Sequence, residues 1–257
     1  RLFLEGPAAS SLAHASHGLS DTYAEPSARY LLRHGSEVLR GSPVKTVKRS
    51  PAGFEITHGD ASPITVRGLC LAVPAAVTRT LLSPELRTSS PALEQAADFP
   101  SAPIVSVNLW FRGDAPLLAE PFVGLVDGVF SWFFDRSALT EDAGGQRHVA
   151  LLAPGARALL SLPAAEIVDL ALATLQGFCE ADLQQRLSDS RVVKEPNAAP
   201  SLTPQVESLR PGQETAEPGL TLAGDWTRTG LPATLESAAT SGHRAAALLH
   251  AFLERRA

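Results

Sequence analysis

The sequence predicts a mixed α/β fold, and three observations support this class. Short runs rich in β-branched and aromatic residues, separated by turn-forming residues, recur between residues 44 and 153. Two long segments, 164–187 and 232–255, instead carry apolar or small residues at helical spacing. The 257 residues are 44% hydrophobic and 19% charged, which is typical of a globular chain with a substantial core.

The first third of the chain is predicted to contain one helix followed by short strands. The helix covers residues 25–34 and ends at Gly35. Turn-forming residues separate most of the predicted strands, which cover residues 37–40, 44–48, 54–57, 64–66 and 69–73. Pro74 suits the first turn of a helix through residue 82, because the amide hydrogen that proline lacks has no intrahelical partner there.

A second β region is predicted after residue 103. Apolar residues alternate with small or polar ones over residues 104–111, as in a half-buried strand. The remaining predicted elements are strands over 122–126, 130–135, 148–153, 191–194 and 220–223 and helices over 164–187 and 232–255. The Pro-, Ser- and Thr-rich residues 197–218 are predicted to form a loop.

Composition excludes several classes of function. The net charge is −5 and Lys and Arg form no dense cluster, which argues against nucleic-acid binding. Cys70 and Cys179 belong to no CxxC pair, and His14 and His17 have no carboxylate cluster near them, so we expect no metal site. Apolar runs stay below the roughly 18 residues of a membrane-spanning helix, and we expect a cytoplasmic protein with peripheral contact to the inner membrane left open.

The segment with the most chemical information reads as a strand, a tight turn and a helix start. Gly224 follows the strand and has no Cβ, so the backbone can approach a ligand closely, and Asp225 offers a carboxylate for ribose or ribityl hydroxyls. Pro232 suits the first turn of the following helix, whose unpaired amides and dipole favour an anion or a carbonyl oxygen. The small residues of that helix pack equally well in a plain core, so both interpretations stay open.

A family resemblance favours the interpretation that this turn binds a ligand. The runs LAGDWT at 222–227 and TGLPATLESA at 229–238 resemble the C-terminal FAD motif of the flavin amine oxidase and phytoene desaturase superfamily. Within it, the chain is most similar to squalene-associated FAD-dependent desaturases, also described as hydroxysqualene dehydroxylases. PIVSVNL at 103–109 and WFFDR at 132–136 resemble substrate-domain strands of this family, and the stretches at 18–20 and 25–28 also resemble it.

The resemblance implies cofactor contacts residue by residue. Gly224 and Asp225, with Trp226 beside them, would contact the ribityl and pyrophosphate part of FAD. Thr234 and Leu235 would lie at the flavin-facing helix start, where the Leu235 amide would bond the pyrimidine edge of the flavin. The remaining contacts would be Val44, whose backbone would pair with adenine, and Val73 at the strand end near the dinucleotide. Both valines also fit an ordinary strand core.

The chain departs from the family at one motif. It contains no GxGxxG, the fingerprint of the Rossmann βαβ unit that holds the ADP pyrophosphate, and no acidic ribose ligand after it. We therefore expect a fragment that lacks the N-terminal Rossmann half and binds FAD weakly or not at all alone. The predicted division assigns residues 1–82 and 206–257 to the FAD-binding domain and 83–205 to a mixed β/α substrate domain.

The function implied is oxidoreduction of a long isoprenoid, most closely the reductive dehydroxylation of hydroxysqualene to squalene. Alternation would place Phe130, Trp132 and Phe134 on one strand face, where they either line the substrate or form a plain core. No catalytic residue is assigned. The alternatives are a phytoene-type desaturase, a flavin amine oxidase, and a non-catalytic binding module or inactive fragment.

Overall fold

The computed structural model describes residues 14–113, 117–140, 145–179, 182–201 and 203–255. The chain divides into two compact units, each built from two separate stretches. One unit holds residues up to Val38 together with Pro103–Pro196, and the other holds Leu39–Ala102 together with Asn197–Ala257. These boundaries differ from the predicted divisions at residues 82 and 205.

Helices and strands alternate along the described residues, which confirms the mixed α/β class. The helices are α1 (Glu25–Arg33, preceded by a π-helical turn), α2 (Ala75–Leu81), α3 (Pro84–Thr88), α4 (Pro91–Ala97), α5 (Arg136–Leu139), α6 (Ala164–Gln176), α7 (Leu183–Arg186), α8 (Pro204–Leu209) and α9 (Leu235–Glu254). The strands are β1 (Val44–Ser50), β2 (Gly53–His58), β3 (Ile64–Val66), β4 (Leu69–Leu71), β5 (Ser101–Arg112), β6 (Phe122–Gly124), β7 (Trp132–Asp135), β8 (Gln146–Pro154), β9 (Leu187–Pro200) and β10 (Leu220–Leu222).

The unit made of residues 39–102 and 197–257 contains two small sheets. β1, β2 and β3 form an antiparallel sheet in that order, and β10 pairs in parallel with β4. Side chains from these strands and from α2, α3 and α4 form one core, which includes Phe54, Leu71, Leu86, Leu93, Leu222 and Trp226. Residues 83–102 lie in this unit, where α4 packs on α2 and Arg79 bonds Glu94 and Asp98.

The other unit is built on a five-stranded sheet in the order β6-β7-β8-β5-β9. β5 and β8 are antiparallel, with Ile104 opposite Pro154 and Arg112 opposite Gln146. The alternation predicted for residues 104–111 is confirmed, since every second residue of β5 is fully buried, namely Val105, Val107, Leu109 and Phe111. These residues share a core with apolar side chains of α6.

Three predicted elements are wrong. Residues 37–40 are exposed and form no strand, because no neighbouring strand of the described chain pairs with them. The helix predicted over 164–187 ends at Gln176, and the short α7 follows it. The loop predicted over 197–218 contains the end of β9 and α8, which begins where the Thr203 hydroxyl accepts a hydrogen bond from the Val206 amide.

Among the helices of the described ranges, none is both long enough and apolar enough to cross a bilayer.

Candidate functional site

The turn between β10 and α9 is shaped by a tryptophan that folds back over a glycine. The indole Nε1 of Trp226 donates a hydrogen bond of 3.0 Å to the carbonyl of Val73 at the end of β4. Gly224 has a φ of +145°, and a Cβ there would lie 2.5 Å from that Nε1. A side chain is therefore disfavoured at this position, because the Trp226 indole approaches the backbone closely here.

Arg210, at the end of α8, holds the same turn from inside the protein. Its side chain is fully buried and forms an ion pair with Glu207 at 2.9 Å. Its guanidinium also donates to three backbone carbonyls of the turn, those of Asp225 at 2.8 Å, Thr227 at 2.6 Å and Leu231 at 2.9 Å. Sequence reasoning missed this residue because it lies in the segment interpreted as a loop.

Hydroxyl and amide side chains complete the support of the turn. Ser241 of α9 accepts a hydrogen bond of 2.8 Å from the Gly224 amide, which ties the turn to the helix that follows it. Thr229 and Ser237 share a bond of 2.7 Å, and Gln213 donates to the Thr227 hydroxyl at 3.0 Å. Ser237 and Ser241 are fully buried, so these small polar residues of α9 serve to fix the turn.

A cleft of about 380 Å³ opens beside this turn, a volume in the lower part of the range for small-molecule sites. It is lined by residues 72–77, Phe99, Ser101, residues 197–200, residues 224–226 and Ala238. Four predicted cofactor residues therefore line one cleft, namely Val73, Gly224, Asp225 and Trp226. Val44, Thr234 and Leu235 are not part of its lining, and their roles stay predictions.

The start of α9 has the geometry of a capped helix. Thr234 is the N-cap, and its hydroxyl accepts a hydrogen bond of 3.3 Å from the Ser237 amide. Leu235 is 65% exposed. The amides of Leu235 and Glu236 precede the first intrahelical hydrogen bond of α9, so a helix start of this kind can serve an acceptor there. Ala238, one turn into the helix, leaves room for the cleft.

Asp225 is the ionisable side chain in the cleft lining. Burial raises the pKa of this carboxyl above its usual value, while the amides of Asp225 and Trp226 and the charge of Arg210 act in the opposite direction. Desolvation of a carboxylate is relieved when hydroxyl groups of a ligand donate hydrogen bonds to it. The cleft therefore combines an acceptor for ligand hydroxyls with backbone and apolar walls.

The aromatic residues predicted to share one strand face are separated in the structure. Trp132 and Phe134 stack on the same face of β7, with ring centroids 6.0 Å apart. Phe130 is instead 1% exposed and lies in the core with Phe133, which projects from the opposite face of β7. The prediction fails for Phe130 because β7 begins only at Trp132, so the two-residue alternation does not extend back to it.

The same sheet holds a buried ion pair between Asp135 and Arg147. Asp135 bonds Arg147 on the neighbouring β8, with 2.8 Å between Arg147 Nε and the Asp135 carboxylate. Asp135 also caps α5 by accepting from the Ala138 amide. Arg136, its chain neighbour, bonds His14 instead. The pair therefore fixes β7, β8 and α5 together.

Comparison with known proteins identifies the family. Residues 6–250 match the model of the family described as flavin containing amine oxidoreductase. The chain belongs to the flavin-containing amine oxidoreductase family. Its cofactor is accordingly a flavin, in the form FAD, and the strand-turn-helix around Asp225 lies within the matched residues.

Curated relatives of this chain include proteins named hydroxysqualene dehydroxylase and 15-cis-phytoene desaturase. The chain is 35% identical over 239 residues to the hydroxysqualene dehydroxylase of Sinorhizobium fredii, covering 91% of this chain and 51% of that protein. It is 31% identical to the hydroxysqualene dehydroxylase of Rhodopseudomonas palustris, covering 91% and 52%. The 15-cis-phytoene desaturase of Solanum lycopersicum is 22% identical, covering 93% and 42%. The chain thus spans about half the length of these relatives.

Solved structures show the same fold at low sequence identity. An oxidoreductase from Methanosarcina mazei has a TM-score of 0.64 at 14% identity, covering 84% of this chain and 51% of that one. A putative protoporphyrinogen oxidase from Exiguobacterium has a TM-score of 0.63 at 14% identity, covering 85% and 48%. These structural neighbours confirm the fold class.

The residues of the cleft fit part of FAD. Asp225 would supply the acceptor that ribityl or ribose hydroxyls need, and Val73 and Ala238 would provide apolar walls. A flavin bound here would supply hydride transfer.

Proposed function

We propose that the protein containing this chain is an FAD-dependent oxidoreductase that converts hydroxysqualene to squalene by reductive dehydroxylation. One observation carries the proposal: relatives named hydroxysqualene dehydroxylase are 29–35% identical to this chain over 90–91% of its length. In the reaction, the C–O bond breaks and the hydroxyl leaves with a proton as water. The allylic carbon then receives a hydride from the reduced cofactor, so that the C–H bond replaces the C–O bond.

Each compact unit has a proposed role. The unit of residues 39–102 and 197–257 binds the cofactor, supported by the cleft beside Asp225. The unit with the five-stranded sheet binds the isoprenoid, supported by the aromatic side chains on one face of that sheet. Trp132 and Phe134 stack there, with Phe122 6.3 Å from Phe134. Ring faces of this kind attract a polyene and stabilise a developing allylic cation.

The proposed location follows from the substrate. A squalene-sized alcohol partitions into lipid, so we propose a cytoplasmic protein with peripheral contact to the inner membrane. Exposed apolar side chains in and beside α1 support such contact, among them Leu19, Tyr23, Tyr30 and Leu32.

A turnover experiment tests the proposal directly. The complete natural protein, purified with FAD and reduced anaerobically, is incubated with hydroxysqualene, and products are separated by gas chromatography. We expect squalene and stoichiometric reoxidation of the flavin. Phytoene with oxidised enzyme, and putrescine or cyclohexylamine, serve as the substrates of the alternatives. Turnover of phytoene alone would replace the proposal with a desaturase. This is the second candidate because relatives named 15-cis-phytoene desaturase are 22–24% identical to the chain.

Replacing Asp225 by Asn tests the role of the cleft carboxylate. We expect FAD to bind about tenfold more weakly, because a neutral amide oxygen is a weaker acceptor than a carboxylate. The apoprotein should in contrast unfold at higher urea at pH 7, since burial raises the pKa of Asp225 and the charged form is therefore disfavoured in the folded state.

The sign of that stability effect can be checked against pH. A carboxyl whose folded pKa is raised above the unfolded value costs stability above the folded pKa, and the cost disappears below the unfolded pKa. The advantage of D225N over wild type should therefore be present at pH 7 and absent near pH 3.5 in urea titrations. Equal FAD dissociation constants for the two proteins would contradict the assigned contact.

A further inference from the structure

The aromatic face of the five-stranded sheet carries a small polar group. On this face the side chains of β5, β6, β7 and β8 point away from the buried core, and most are aromatic or aliphatic: Ile104, Trp110, Phe122, Trp132, Phe134, Ala150 and Leu152. Ser106, Asn108 and His148 interrupt this apolar surface. Asn108 and His148 come from adjacent strands, and each is half-buried.

The imidazole of His148 is held in one orientation. Its Nε2 lies 2.9 Å from the side-chain oxygen of Asn108, and its ring stacks on Trp110 with centroids 4.5 Å apart and an angle of 13° between the planes. The backbone amide of His148 is bonded to the Ser137 hydroxyl at 2.9 Å. Because Asn108 presents its oxygen, Nε2 is the protonated nitrogen, and Nδ1 carries the lone pair.

The second ring nitrogen is free to meet a ligand. Within the described residues, Nδ1 of His148 has no hydrogen-bond partner. It is also absent from the buried polar side-chain atoms that lack partners, so it keeps contact with solvent. Burial of the ring and the charge of Arg136 lower the pKa of His148, with Asp135 opposing them, which favours the neutral imidazole and its acceptor nitrogen.

We propose that Asn108 and His148 form a hydroxyl-binding subsite, in which Nδ1 of His148 accepts a hydrogen bond from the alcohol of an isoprenoid substrate. This inference rests on the proposed function, whose substrate carries one such hydroxyl on a hydrocarbon of thirty carbons. The surrounding aromatic face binds hydrocarbon of any isoprenoid. The polar pair adds discrimination, because an analogue without the hydroxyl would cover Nδ1 of His148 with hydrocarbon and leave this acceptor unpaired.

The test compares an alcohol with its hydrocarbon on the complete FAD-loaded protein. Hydroxysqualene and squalene are titrated separately in detergent micelles, and binding is followed by the shift in flavin absorbance. Wild type should bind hydroxysqualene about tenfold more tightly than squalene, the contribution of one hydrogen bond to a partly buried acceptor. In H148F, which keeps an aromatic ring on Trp110 and removes the acceptor, the ratio should fall to about one.

Two further variants sharpen the comparison. N108L removes the partner that fixes the tautomer and should reduce the ratio, whereas H250F makes the same His→Phe change at an exposed position of α9 and should leave it unchanged. A wild-type ratio near one, an unchanged ratio in H148F, or an equal loss for both ligands in H148F would each overturn the inference. Absence of hydroxysqualene turnover in wild type would instead count against the proposed function, because the binding ratio is measured without turnover.

Discussion

Replacing Arg210 by Met should lower the free energy of unfolding by about 3–5 kcal/mol and remove most of the bound FAD. The guanidinium is fully buried and donates to the carbonyls of Asp225, Thr227 and Leu231. Without it, three acceptors of the turn lose their donor inside the protein, where water does not replace it. Urea denaturation and the flavin absorbance per protein, both on the complete protein, measure the two effects.

The loss of FAD should exceed what the loss of stability alone explains. Arg210 fixes the path of the backbone through Asp225, whose carboxylate lines the cleft, so its removal changes the shape of the site. A control is L175A in the core of the other unit, which removes a fully buried side chain and should cost about 2–5 kcal/mol. L175A should retain FAD under folding conditions, whereas R210M should not.

Two more variants separate charge from hydrogen bonding at this position. R210K keeps the positive charge but offers fewer donors in a different geometry, so it should recover only part of the FAD. K45M, which breaks the exposed ion pair of Lys45 with Asp60, should change neither stability nor flavin content noticeably. If R210M keeps wild-type flavin content, Arg210 does not position the turn.

The features that sequence reasoning found are those with a local signature. The alternation in β5 predicted which residues face the core, and the strand, turn and helix start around Gly224 were recognisable because each needs particular residues at fixed spacing. Asp225 was identified for the same reason. Turn and helix-start chemistry acts over only a few residues of chain, so the order of the sequence is sufficient to reveal it.

The features that were missed depend on contacts between distant residues. Arg210 reaches carbonyls 15 to 21 residues away, and no periodicity marks a residue that bonds only backbone. The cleft residues 197–200 were interpreted as loop because they begin a segment rich in turn-forming residues and include a proline, although β9 extends through them in the sheet. Phe130 was misplaced because alternation does not show where a strand begins.

At Gly224 the structure adds a second reason for glycine to the one expected from the sequence. Its lack of a side chain was expected to serve a ligand, yet the atoms nearest to an added Cβ belong to Trp226. The structure therefore changes the prediction for a substitution: the first effect of a side chain at Gly224 is on the protein's own tryptophan. The effect on the cofactor follows because Trp226 bonds Val73 across the cleft lining.

Replacing Gly224 by Ala should destabilise the protein by about 2–4 kcal/mol and weaken FAD binding at least tenfold. The new Cβ would lie 2.5 Å from Trp226 Nε1, and a φ of +145° is strained for any residue with a side chain. Relief of the clash moves the indole and breaks its bond to Val73. Urea denaturation, tryptophan fluorescence and FAD titration of the apoprotein measure these changes.

A matched glycine isolates the clash from the backbone strain. Gly230 also has a positive φ, +84°, but an added Cβ there meets nothing within 4 Å. G230A should therefore cost about 1 kcal/mol through strain alone. The difference between the two alanine variants then reports the contact with Trp226.

A double-mutant cycle decides whether that contact is the cause. W226F loses the bond to Val73 and removes the Nε1 atom that lies nearest to the new Cβ. If the clash explains the effect, G224A should cost clearly less in the W226F background than in wild type, and the two changes should not be additive. A fully additive result would show that Gly224 is required for its backbone conformation or for direct approach of the cofactor, and the original expectation from the sequence would stand.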